Sequence, residues 1–350
     1  VNNLVLKVNG EKHGGWKQVH IHRSIEQLAS GFSLNYTERR LPEDEPRNVA
    51  EGDECIVSID DTDVINGYVD DSNIDYDAKT HGMTVSGRSR TSDLVDCSAV
   101  YKTGQWLKRT VEQIAKDICQ PFGIGVQAEA DISTQLAKFT IQDGESAFET
   151  LDRLARMHGL LILSDAGKNI IFTRAGSVKI KPALEFGVNI FRGRREGSWR
   201  DRFQTYILKG QAPATDNFFG KKAASPTETI EDNGINRYRP IVIQADDIVY
   251  QADIKKRATW ECNTRAGKSQ RLSYTLVGSW ANEQGIWQPN TLVDVKDSYL
   301  GLECEMLIAG VDLIADNQGI RTELDLAGPA AYDIKDLPRS KPKKTKWGLY

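Results

Sequence analysis

The 350-residue sequence predicts a mainly β fold with an α+β insertion. Three observations carry that expectation: short alternating apolar runs broken by turn residues at both ends, one central segment with apolar residues at helical spacing, and a strand pattern that occurs twice. A chain this long exceeds one ordinary core, so two to four domains are expected.

The first β unit is placed at 1–100. Leu4-Val5-Leu6-Lys7-Val8 alternates and stops at Asn9-Gly10, a hairpin signal. Val19-His20-Ile21-His22 and Phe32-Ser33-Leu34-Asn35-Tyr36 follow, then Glu54 to Ile59 and Asp63 to Val69, joined through Asp60-Asp61-Thr62. Short strands at regular spacing suggest a sandwich or barrel.

A small α/β domain is placed at 101–180. Between Trp106 and Cys119 the residues Leu107, Val111, Ile114 and Ile118 fall on one helical face before Pro121 stops the run. Ser146-Ala147-Phe148-Glu149 is a capping box, and its helix continues through Leu151, Leu154 and Ala155 to Gly159. A strand is expected at Phe139-Thr140-Ile141, and Leu160 to Leu163 with Ile170 to Thr173 flank a turn.

Next comes a basic connector at 181–203, then a second β unit at 204–335. It opens with Gln204 to Leu208 and runs into 211–236, about 25 residues without periodicity, read as a long loop that is functional or disordered. A weakly amphipathic helix at Asp253 to Arg265 precedes strands at Leu272 to Val277, Thr291 to Val295, Cys304 to Ala309 and Thr322 to Leu326. Residues 336–350 read as a basic tail.

The stretch Cys55 to Asp60, Ile65 to Asp70 and Gly82 to Gly87 resembles Leu292 to Asp297, Ile308 to Asp312 and Gly319 to Leu324. Both run strand, strand with central glycine, strand. Two readings fit: hairpins are generically alike, or the chain holds two similar small antiparallel β-barrels.

Composition narrows the function. Net charge is −4, so no whole-molecule field draws the chain to nucleic acid or an anionic membrane. No apolar run approaches the roughly 18 residues of a membrane span, and Val1-Asn2-Asn3 does not open a signal peptide, so a soluble cytoplasmic product is expected. The five cysteines, Cys55, Cys97, Cys119, Cys262 and Cys304, are scattered, which disfavours zinc and a disulfide framework; Cys55, Cys119 and Cys304 are read as core.

His20 and His22 share a strand face but lack an evident third ligand, and Asp60, Asp61, Asp63, Asp70, Asp71 and Asp75 lack the spacing of a calcium loop. No nucleophile, zincin, phosphate or dinucleotide motif occurs, so no catalytic, cofactor or metal residue is assigned and an enzyme is not expected. Two basic clusters remain as interaction patches: Arg192, Arg194, Arg195, Arg200 and Arg202, and Lys341, Lys343, Lys344 and Lys346. Either suits a phosphate backbone or an acidic protein surface.

Trp106-Leu107 through Cys119-Gln120-Pro121-Phe122-Gly123-Ile124, then Glu145-Ser146-Ala147-Phe148-Glu149 to Arg156, Gly159 to Ile162 and Phe172 to Gly176, forms a longer pattern. Helix, Pro-Phe-Gly, Glu-Ser-x-Phe-Glu helix and hairpin in this order resemble the baseplate hub proteins of contractile-tailed phages, most closely the phage Mu type. The pattern is also similar to the N-terminal hub part of type VI secretion spike proteins. This resemblance implies a structural subunit with two similar β-barrels per chain. It forms a homotrimeric, pseudo-sixfold ring adapting a sixfold tail tube to a threefold central spike.

The implied partners are further copies of the chain, tail tube protein, central spike protein and other baseplate proteins, with no membrane and with DNA only in passage through the ring. The implied place is the virion tail baseplate, after assembly in the host cytoplasm. Secretion spikes carry a needle region after the hub; none precedes Tyr350, so a separate spike protein is expected. Two other classes stay in view: a tail-associated cell-wall hydrolase, and a DNA-binding protein using the two basic clusters.

Overall fold

Alternation becomes strand over most of the chain. The computed structural model describes residues 3–38, 49–77, 81–166, 168–176, 178–211, 226–248, 251–329 and 331–332. In the first half, β1 (Leu4–Val8) and β2 (Glu11–His13) form the hairpin expected at Asn9-Gly10, both of which have positive φ. Then come β3 (Gln18–Ser24), β4 (Gly31–Glu38), β5 (Glu54–Ile59), β6 (Thr62–Tyr76) and β7 (His81–Ser89). They lie in the order β3-β4-β7-β6-β5-β1-β2. The alternate apolar residues Leu4, Leu6 and Val8, Val19 and Ile21, Phe32 and Leu34, and Met83 and Val85 all point into the core.

The central segment holds α1 (Ser92–Asp96), β8 (Gln105–Thr110), α2 (Val111–Cys119), β9 (Gly125–Ala128), β10 (Gln135–Thr140), α3 (Ala147–Met157), β11 (Leu161–Asp165) and β12 (Asn169–Thr173). Its core is almost entirely its own: Leu94, Trp106, Ile114, Phe139, Leu154 and Phe172 belong to a cluster that takes only Leu28 from the chain before it. The expected helix from Trp106 begins later, at Val111. Thr110 Oγ1 accepts the Gln113 N–H at 3.2 Å while Gln113 Oε1 accepts the Thr110 N–H at 3.2 Å, a capping box that fixes the start. Residues before it pair as β8 with β10, leaving Leu107 exposed, while the buried Trp106 indole donates to Asp117. The Ser146–Glu149 capping box of α3 is present, and Gly159 just past the helix has φ 62°. Arg153 clamps the entry to α3, donating to both Glu145 oxygens and to the Thr140 carbonyl at 2.8 Å each.

The second half begins with β13 (Val178–Lys179), β14 (Leu184–Glu185), β15 (Ile190–Gly197), β16 (Thr205–Gln211), β17 (Thr227–Glu231), β18 (Pro240–Ile248) and α4 (Gln251–Lys268). The stretch read as a connector, 181–203, therefore carries two strands. Its arginines and glycines hid β15, whose register comes from pairing with β19 rather than from apolar alternation. Of the loop read at 211–236, residues 212–225 lie outside the described residues and Thr227–Glu231 is a strand. β17, β16 and β18 form a separate three-stranded sheet on which α4 packs through Ile254, Ala258 and Cys262, against Tyr206 and Leu208.

β19 (Gln270–Val277), β20 (Ala281–Asn282), β21 (Gly285–Ile286), β22 (Thr291–Asp297), β23 (Leu302–Asp316) and β24 (Gly319–Ala327) complete the fold. The strand order β15-β19-β24-β23-β22 matches β3-β4-β7-β6-β5 of the first half. β6 and β23 are each 15 residues, β7 and β24 each 9. Each long strand carries a bulge at the same place, Asp70 between Val69 and Asp71, Ala309 between Ile308 and Gly310. A one-residue slip would turn every side chain to the wrong face, so coincident bulges fix a common register.

Two closed barrels are not what the described strands form. β23 pairs with β3, and the two sets run on as one 14-stranded sheet that does not close on itself. One buried cluster runs through both sets.

Gly67 shows how tightly β6 packs on β7. A Cβ there would overlap the Arg88 carbonyl oxygen and come within 2.7 Å of Arg88 C and Ser89 Cα. Gly67→Ala should cost about 1–3 kcal/mol, read as a lower urea midpoint; an unchanged midpoint would show that the β6–β7 backbone yields.

Candidate interaction surfaces

β15 pairs with β19 on one side and with no other named strand among the described residues. Long unpaired edges invite pairing with another chain, and proteins guard them with charge. Here the outward positions of β15 hold Arg192 and Arg194, both exposed, with Arg194 2.5 Å from Glu196. Arg195 is half-buried and Arg200 exposed. The strand thus brings Arg192 and Arg194 to one face and sets Arg195, opposite Leu272, on the other. Arg202 is different: it is buried, with Nε 2.6 Å and Nη2 3.0 Å from the two Asp232 oxygens and Nη1 donating to Ser269. It ties the entry of β16 to the exit of β17 and the end of α4, so it offers no surface. Lys341, Lys343, Lys344 and Lys346 lie outside the described residues.

Apolar side chains flank this edge. Phe191 is 76% and Val188 75% exposed, and the Phe186 ring lies 6.2 Å from that of Tyr299. A second edge left unpaired on one side among the described residues is the outer half of β6, beyond Asp70. Ile74 is 66% and Tyr76 73% exposed there, beside the exposed Asp71 and Asp75. Sequence reasoning noticed these aspartates but missed the two apolar residues on either side of Asp75, whose period-2 spacing marks the inward face of a strand.

His20 and His22 meet Asp312 across the β3–β23 junction: His20 Nε2 is 2.7 Å and His22 Nδ1 2.9 Å from Asp312 Oδ1. Burial opposes ionisation of Asp312, but the two imidazoles outweigh it and hold the carboxyl at about 2. The hydrogen bond to Asp312 raises His22 despite partial burial. Among the described residues no group of three or more side chains is placed to hold a metal ion.

Other candidate chemistry resolves into structure. Asp60 accepts the Asn3 N–H at 2.7 Å and Asp63 the Ser58 hydroxyl at 2.8 Å, around a turn where Asp60 and Asp61 have positive φ. Burial pushes the Cys55, Cys119 and Cys262 thiols up to about 12, so they stay protonated; Cys304, read as core, is exposed. No helix among the described residues is long and apolar enough to cross a membrane.

Three family models match the chain. Residues 3–89 match the N-terminal domain of Mu phage baseplate assembly protein GpP-like proteins, 91–174 the second domain of gp44-like baseplate hub proteins, and 251–335 the fourth domain of GpP. The baseplate hub protein gp44 of Escherichia phage Mu is 34% identical over 336 residues, 93% of this chain and 88% of that protein. A 43 kDa tail protein of prophage MuSo2 from Shewanella oneidensis has a similar structure, with TM-score 0.85 and 35% identity over 95% of this chain and 100% of that one. An E. coli type VI secretion component shares the fold, with TM-score 0.57 and 12% identity over 93% of this chain and 76% of that one.

The chain belongs to the Mu-type phage baseplate hub family. It is a structural component of the virion tail baseplate, and its relatives are named as hub and tail proteins rather than enzymes.

Two outcomes test these interactions. Removing one partner of a buried ion pair strands the other, so Asp232→Ala should cost about 3–5 kcal/mol, whereas Arg202→Met with Asp232→Leu should cost less than either single change in urea unfolding. At the β3–β23 junction, the His22 contribution is full below its unfolded value near 6.5 and disappears as pH rises through its raised folded value; that of Asp312 is full above 3.8 and fades as pH falls toward 2. The thermal midpoint should therefore decline as pH rises from about 6 to 9, and Asp312→Asn should flatten that decline. A wild-type midpoint constant over this range would remove the imidazole from the account.

Proposed function

We propose that three copies of this chain form a ring in which each contributes two equivalent strand sets, giving a pseudo-sixfold face. The ring adapts a sixfold tail tube to a threefold central spike. The observation that carries this reading is the repeated strand order, with its coincident bulges, held in one sheet whose ends are left unpaired among the described residues. Two equivalent units per chain and three chains give six equivalent positions, which matches a sixfold partner on one face while the true symmetry stays threefold.

The partners are tube, spike and other baseplate proteins, with DNA only in passage. The two sets, at 1–100 and at 204–335 together with β15 from 181–203, are the barrel-like units; 101–180 is the insertion between them, the rest of 181–203 the link and 336–350 a tail. Arg192, Arg194, Arg195 and Arg200, with Lys341, Lys343, Lys344 and Lys346, meet acidic protein surfaces.

Analytical ultracentrifugation of the purified chain at micromolar concentration should give the mass of three chains, and negative-stain electron microscopy a threefold torus. A monomer at tens of micromolar that binds neither tube nor spike protein would sink the proposal.

A further inference from the structure

The junction between the two strand sets inside the chain specifies a second junction between chains. Past its bulge, β23 pairs antiparallel with β3: Asp312 opposite His22, Leu313 opposite Ile21, Ile314 opposite His20 and Ala315 opposite Val19. In the repeat, β6 stands where β23 does and β15 where β3 does. Among the described residues the stretch of β6 past its bulge pairs only with β7, and β15 only with β19 apart from a single parallel bridge of Ile190 to Phe186 at its start. Each set therefore carries one half of such a junction, and the two halves do not meet each other among the described residues.

The register follows from the pairings alone. Asp71 is the first paired residue beyond the β6 bulge, as Gly310 is beyond that of β23. Arg195 lies opposite Leu272, which lies opposite Leu326, which lies opposite Ile308. Ile21 lies opposite Phe32, then Gly87, then Val69. Val69 and Ile308 both directly precede the bulge, so Arg195 occupies the place of Ile21. Transferring the β23–β3 register sets Asn73 opposite Glu196, Ile74 opposite Arg195, Asp75 opposite Arg194 and Tyr76 opposite Gly193.

We infer that the outer half of β6, Asp71 to Tyr76, pairs antiparallel with β15 of a second copy of this chain, with Asp75 set against Arg194. The proposal rests on the ring reading above and supplies its contact. Charge complementarity supports the occupant: the β6 edge carries exposed Asp71 and Asp75, the β15 edge exposed Arg192 and Arg194. Burial supports it too. Leu313 and Ala315, the counterparts of Ile74 and Tyr76, are buried and half-buried in the in-chain junction, whereas Ile74 and Tyr76 are largely exposed. Opposite Tyr76, Gly193 presents no side chain, and the Tyr274 ring, 3.0 Å from where its Cβ would be, is the surface a Tyr76 ring would pack on.

Charge exchange tests the pairing. In sedimentation of the full chain across a concentration series, Asp75→Arg alone and Arg194→Asp alone should each raise the half-dissociation concentration by about tenfold or more, since like charges then face each other at every interface. The double variant should return to within about threefold of wild type, with circular dichroism unchanged throughout. Single variants indistinguishable from wild type, or a double variant no better than the singles, would overturn the pairing while leaving a trimeric wild type intact. A wild type that is monomeric at every concentration would instead overturn the ring reading beneath it.

Discussion

The backbone ladder between β3 and β23 is the interaction on which the rest of the molecule depends. It joins residues almost 300 positions apart and makes one sheet of two strand sets. Ile21, Val311 and Leu313 are fully buried along it, each worth about 1.5–3 kcal/mol of transfer free energy. The ladder also sets the polar face: with β3 in this register, His20 and His22 point the same way and share one oxygen of Asp312. A slip of one residue would bury the imidazoles and expose the isoleucine. The bulge at Ala309 is what permits the arrangement, because it lets a single 15-residue strand serve β22 with its first part and β3 with its second.

Much of this was legible in the sequence, where local chemistry decides local structure. Asn9-Gly10, the Ser146–Glu149 capping box and Gly159 each specify a backbone conformation that few other residues suit, and each stands where expected. The helical period of Val111, Ile114 and Ile118 was equally clear, but Trp106 and Leu107 fit the same period by accident. What separated them was Thr110, whose side chain starts the helix at the next residue. β15 was illegible because its pattern, Arg-Gly-Arg-Arg-Glu-Gly, carries no apolar alternation; an edge strand has one side in solvent and its register comes from its neighbour.

The interaction surface was legible only in part, for a related reason. A cluster of arginines in sequence says that charge is present, not which way it points. Arg202 and Arg194 are eight positions apart, yet one is locked beneath Asp232 and the other stands in solvent. Burial of Arg202 depends on α4 and β17 coming together, which no window around Arg202 reports. Conversely Ile74 and Tyr76 looked like ordinary strand residues, and only the equivalence of β6 with β23 marks them as core residues without a core.

The distribution of charge between the two edges also fixes the kind of symmetry the chain can adopt. Two β15 edges brought together would set arginine against arginine, and two β6 edges aspartate against aspartate, so face-to-face dimers are disfavoured at both edges. Only a β6 edge meeting a β15 edge satisfies both. Such a contact is heterologous: each copy that binds leaves the opposite edge open, and growth ends only when the rotation between copies closes a ring. If the proposed contact repeats the in-chain one, that rotation is the one at which β23 meets β3. On the proposed pairing, a protein built from two copies of one strand set, joined once within the chain and once by matching edges, would encode its closure in the twist of a single internal ladder.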